Sequence, residues 1–114
     1  MTDDPYLRDP VERFVTVAPG VDLRVLVTDG GATDTVPFVL VHGLASNARL
    51  WDGTAAALAA AGHTVAAVDL RGHGRSSKPD HGYDFGTVVA DLAGLIEALD
   101  LRHPVVAGKS WGGN

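Results

Sequence analysis

Residues 108–112 read Gly108-Lys109-Ser110-Trp111-Gly112, a serine with a glycine two positions away on either side. A hydroxyl in this setting suits nucleophilic attack on an acyl carbon with formation of a covalent intermediate, provided a general base takes its proton. The glycines have a steric reason. A strained turn from a buried strand into a helix lifts the serine hydroxyl clear of the backbone, and Cβ atoms at the flanking positions would collide there. Ser110 is therefore read as the nucleophile, with Gly108 and Gly112 as structural members of its turn. The run Leu101-Arg102-His103-Pro104-Val105-Val106-Ala107 supplies the apolar strand that such a turn needs in front of it.

Two further segments precede it. Val36 to Leu44 is a β-rich run ending in His42-Gly43-Leu44, and Thr64 to Leu70 is an apolar run that breaks into Arg71-Gly72-His73-Gly74-Arg75-Ser76. In this order and at this spacing the three segments resemble the α/β-hydrolase family, through its His-Gly oxyanion loop, its D-x-R-G-x-G-x-S loop and its G-x-S-x-G nucleophile turn. The resemblance covers residues 12 to 114, and three ordered motifs are far more specific than one. It implies a serine hydrolase acting on an ester or related acyl bond of a small-molecule substrate, with no cofactor. It also implies an oxyanion hole made by the backbone N–H groups of Leu44 and Trp111, with His42 and Gly43 shaping the loop. The sequence here is His-Gly-Leu and not the His-Gly-Gly-Gly of many lipases, which points away from bulky tertiary alcohol esters. Serine at position 110 separates the chain from haloalkane dehalogenase-like and epoxide hydrolase-like members, which use aspartate there. Carboxylesterase-, thioesterase-, carbon-carbon hydrolase-, proline iminopeptidase- and cofactor-free haloperoxidase-like members remain.

The acid and base of a triad are harder to find. In the family the chain order is Ser, then acid, then His, whereas His42 precedes Ser110. His42 is read as orienting the oxyanion loop and His73 as packing within its own loop, while His63, His81 and His103 carry no motif. Asp69 is read as structural, Asp91 lies within a helical stretch, and Asp52, Asp80, Asp84 and Asp100 read as loop or cap residues. The acid and the histidine are thus expected after Asn114. The 114-residue polypeptide by itself is expected to be inactive, and a catalytically dead remnant or binding module is the alternative to an enzyme. A phosphate loop would need glycine where His103 stands, and a dinucleotide fingerprint would need glycine at Ser77, so neither nucleotide reading holds.

The elements that must position these residues can be read in turn. Residues 1–11, acidic and proline-containing, form a flexible arm, and residues 12–114 form part of a single domain. Glu12 to Ala18 and Val21 to Thr28 make an antiparallel hairpin around Pro19-Gly20. Strands and helices then alternate, which predicts parallel strands joined by right-handed crossovers. Leu50 to Ala61 is a helix stopped by Gly62. Phe85, Val88, Val89, Leu92, Leu95, Ile96 and Leu99 form the apolar stripe of a second helix capped by Asp84. The fold class is α/β, and an unpaired apolar strand edge is expected at Val105-Val106.

Composition sets outer limits. The 114 residues are 46% apolar, enough for one small domain, and carry a net charge of −5 without a basic stripe. Nucleic acid and anionic membrane surfaces are therefore not expected as partners, and oligomeric state is left open. There is no cysteine, so neither a disulfide framework nor a thiolate metal cluster can form. The N-terminus lacks a charged-then-apolar leader, and cytoplasm is the default location.

Overall fold

The computed structural model of the chain describes residues 9–32 and 34–109. Strands β1 (Val11–Ala18) and β2 (Val21–Thr28) form an antiparallel hairpin, tightened by Gly20 at φ 73, a backbone region open to glycine. Strand β3 (Phe38–Val41) follows, then a 3-10 turn at Ala48–Trp51 running into helix α1 (Asp52–Ala60). Strand β4 (Val65–Val68), helix α2 (Phe85–Ala98) and strand β5 (Val105–Gly108) complete the order. The five strands make one sheet in the order β1-β2-β4-β3-β5, with β3 parallel to β4 and to β5 and β2 antiparallel to β4.

The position of β4 explains its composition. It lies between β2 and β3 with both faces covered, so Val65-Ala66-Ala67-Val68 is a continuous apolar run with every residue buried. Alternate side chains still go to opposite faces. Ala66 and Val68 join Val25, Val39 and Val41 in a cluster closed by Val88 and Leu95 of α2. Val65 and Ala67 join Leu26 and Leu40 in a second cluster closed by Ala48 and by Ala55 of α1. One helix therefore covers each face of the sheet.

Boundaries depart from the sequence reading where local chemistry intervenes. The strand expected from Leu101 begins only at Val105 and includes Gly108, because Asp100 (φ 53) and His103 (φ 49) take left-handed conformations that keep 101–104 a loop. The first helix starts as a 3-10 turn, since the Asn47 side chain accepts from the Arg49 amide. Asp84 does cap α2, accepting from the Thr87 amide at 3.0 Å. The stripe of α2 is narrower than its sequence: Val88 and Leu95 are buried, but Phe85 is 71% exposed. Strand β1 begins at Val11, a residue assigned above to the flexible arm.

Candidate active site at the carboxyl ends of the parallel strands

Parallel β3, β4 and β5 end level with one another, because Val41 is in register with both Val68 and Gly108. Each strand releases its chain into one of the three motif segments at the same edge of the sheet, the edge at which open α/β sheets place ligands. The Lys109 amide donates to the Val41 carbonyl at 3.1 Å and so ties the exit of β5 to the start of the His42 loop. Ser110, Trp111 and Gly112 lie outside the described residues. A Cβ added to Gly108 would find, among the described residues, only the Val41 carbonyl oxygen within 4 Å, at 3.9 Å, which is ordinary contact. The crowding expected at this glycine is therefore not made by the described part of the turn.

In the loop after β3, His42 is fully buried and Gly43 is buried, while Leu44 is 64% exposed. His42 Nδ1 is 2.6 Å from the Gly43 carbonyl oxygen, and the Leu70 amide donates to Nε2 at 2.9 Å. Its ring leans on that of His73, centroids 4.8 Å apart, whose own Nδ1 is 3.0 Å from the Arg71 carbonyl. Burial is the main influence on His42 and lowers its pKa; the Gly43 bond opposes this, the His73 ring assists it and Asp69 opposes it. With both nitrogens occupied by backbone, His42 has no free lone pair with which to act as a general base. These bonds tie the ring to its own loop and to the start of the loop after β4.

The loop after β4 is organised by Asp69, which is fully buried. Its carboxylate accepts from the Ala48 amide at 2.7 Å, the Arg75 amide at 2.9 Å and Arg24 Nε at 2.7 Å. Burial, the largest influence, works to raise its pKa, but the two amides and the guanidinium outweigh it and hold the carboxyl below the ordinary carboxylate range. One side chain thus joins the 3-10 turn before α1, its own loop and strand β2. Ser76 adds a second tie, accepting from the Arg24 amide at 2.8 Å. Arg71 leaves this loop to meet Asp91 of α2 through two bonds of 2.6 and 2.9 Å, a buried pair in which the Asp91 carboxylate is the main cause of the raised Arg71 pKa.

Sequence reasoning did not find Arg24 or the role of Asp91. The available signal was a charge flanked by apolar residues inside a strand or helix, because a buried charge must have a partner; the partners, 45 and 20 positions away, were not legible. A cleft of about 370 Å³ near Arg24 is lined by Pro10, Glu12, Leu26 and three arginines. Each arginine there faces an acid, Arg24 with Asp69, Arg75 with Glu12 and Arg49 with Asp52, so the charge of the cleft is balanced. Among the described residues, no three His, Asp or Glu side chains come together to hold a metal. No helix among them is long and apolar enough to cross a membrane.

Residues 36–114 match the family model of the alpha/beta hydrolase fold, and the chain belongs to that family. It is 42% identical over 98 residues to the non-heme chloroperoxidase of Streptomyces lividans, covering 86% of this chain and 36% of that protein. It is 38% identical over 105 residues to epoxide hydrolase A of Mycobacterium tuberculosis, covering 90% of this chain and 32% of that one. The crystal structure of epoxide hydrolase A from Mycobacterium thermoresistibile superposes with a TM-score of 0.79 at 36% identity, over 90% of this chain and 32% of that one. The chain therefore spans about a third of the length of the relatives it matches.

Proposed function

We propose that the whole protein containing this chain is a hydrolase that cleaves an ester or related acyl bond through Ser110 and an acyl-enzyme intermediate. The observation that carries the reading is the residue type at position 110, one residue beyond the Lys109–Val41 bond that brings the β5 exit to the oxyanion-type loop. The relatives include both chloroperoxidases and epoxide hydrolases. By the resemblance set out above, a serine nucleophile favours the haloperoxidase- and esterase-like side over the epoxide hydrolase-like one, where aspartate occupies this position.

In the proposed reaction a base supplied outside residues 1–114 takes the Ser110 proton as Oγ bonds to the acyl carbon. The carbonyl oxygen becomes an oxyanion held by the Leu44 and Trp111 N–H groups. Collapse expels the alcohol with the base's proton, and water then releases the acid and restores Ser110. Asp69 serves by fixing the loops on either side of the site, and His42 by fixing the oxyanion loop.

The test is turnover of a panel of acyl esters and terminal epoxides by the whole protein and its Ser110→Ala variant. Ester cleavage that falls by at least about 10³-fold in the variant, with no epoxide opening in either protein, is the expected result. Ester cleavage unchanged by the substitution, or epoxide opening as the main activity, would overturn the proposal.

A further inference from the structure

Three arginines from three separate segments line one cleft, and a single buried carboxylate brings them there. Asp69 Oδ2 accepts from Arg24 Nε on β2 at 2.7 Å and from the Arg75 amide in the loop after β4 at 2.9 Å. Its other oxygen accepts from the Ala48 amide at 2.7 Å, which fixes the 3-10 turn that carries Arg49. Arg24 and Leu26 lie on the same face of β2, the face that Ala55 of α1 helps to cover, and Leu26 is in register with Glu12 of β1. The backbone positions of all three arginines are thus set by the fold.

The ion pairs around the cleft balance in number but not in place. Asp69 and Asp52, the partners of Arg24 and Arg49, are not part of the lining, whereas Glu12 is. Among the described residues the wall therefore carries three guanidinium groups, one carboxylate and the apolar surfaces of Pro10 and Leu26. Glu12 already shows how an oxygen anion sits here. Its Oε2 is 3.1 Å from Arg75 Nη1 and 3.5 Å from Arg24 Nη1, so it bridges two of the three. The Arg24 side chain is only 7% exposed. Replacing a buried ion pair with apolar side chains is often neutral or stabilising, so stability alone gives no reason for an arginine at this position.

We propose that this cleft binds a phosphate group, free or carried by a small organic molecule. Guanidinium groups present N–H donors in a planar fork that matches the oxygens of a phosphate. Three of them against one carboxylate suit a dianion, and the volume of about 370 Å³ lies near the lower end of the range of small-molecule sites, about 300–1,000 Å³. In the bound state the phosphate bridges Arg24, Arg49 and Arg75, Glu12 turns outward, and an organic substituent lies against Leu26 and Pro10. Binding here does not depend on the chemistry at Ser110.

Calorimetric titration of the whole protein with inorganic phosphate and with phenyl phosphate, at an ionic strength held constant with chloride, tests this. Saturable one-to-one binding is expected. It is expected to weaken at least about 10-fold when Arg49→Gln and Arg75→Gln are combined, and to tighten in Glu12→Gln, which removes the carboxylate that competes for the same donors. The Arg49 and Arg75 side chains are 57% and 69% exposed, so the double variant is expected to keep the wild-type thermal midpoint. Tighter binding of phenyl phosphate assigns the site to a phosphorylated small molecule, and tighter binding of inorganic phosphate assigns it to the free ion. No saturable binding in either the wild type or Glu12→Gln, or binding that the double variant leaves unchanged, would overturn the proposal.

Discussion

His42 and Asp69 show how much of this site is backbone held by side chains. Burial lowers the pKa of His42, so below the ordinary histidine value of about 6.5 the unfolded chain binds a proton that the folded chain resists. Stability contributed by the neutral ring is therefore present above that value and is lost as pH falls below it. The Asp69 carboxyl, also lowered, contributes with the same sign but only as pH falls below about 4. Urea midpoints are thus expected to drop between about pH 7 and pH 5, with a shallower slope in His42→Gln; a flat or rising profile would contradict the assignment. Gly74 gives a second test at this scale. It sits at φ 52 against the Asp69 carboxylate, and an added Cβ would overlap the carboxylate oxygens. Gly74→Ala is expected to destabilise the protein by at least about 1–3 kcal/mol in denaturant unfolding.

At the scale of elements, the buried Arg71–Asp91 pair pins the loop after β4 to helix α2. Removing one partner leaves an uncompensated buried charge, so Asp91→Ala is expected to cost about 3–5 kcal/mol, while replacing both residues with apolar ones of similar volume is expected to recover most of that loss. Equal losses for the single and double variants would contradict this. The elements also show what was legible beforehand. Pro19-Gly20 between two β-branched runs gave the hairpin, and the 3.6-residue recurrence around Val88 and Leu95 gave α2, because both signals are local. The bonds that place the site are not local. Arg24 to Asp69 and Asp69 to Ala48 join residues brought together by the sheet order, which puts β4 between β2 and β3, and Arg71 to Asp91 depends on the packing of α2 against the sheet. Periodicity marks which face of an element is buried, but not which neighbour it will meet.

Among the described residues, a five-stranded sheet with one helix on each face brings the loops after β3 and β4 and the exit of β5 to one edge, an arrangement that the family resemblance indicates through the spacing of its motifs. The far edge of the sheet is β5, where Val105 and Val106 are 44% and 51% exposed. An apolar strand edge invites pairing with another chain. Residues 1–114 expressed by themselves are expected to self-associate, and Val106→Lys to reduce this in sedimentation velocity; a monodisperse monomer without the substitution would contradict the expectation. Assignment of Ser110 as the nucleophile is tested by treating the whole protein with a serine-directed phosphonate and mapping the adduct by mass spectrometry. A single adduct on Ser110, absent in Ser110→Ala, is the predicted result. A folded, active protein with no adduct there, or with one on another residue, would contradict the account.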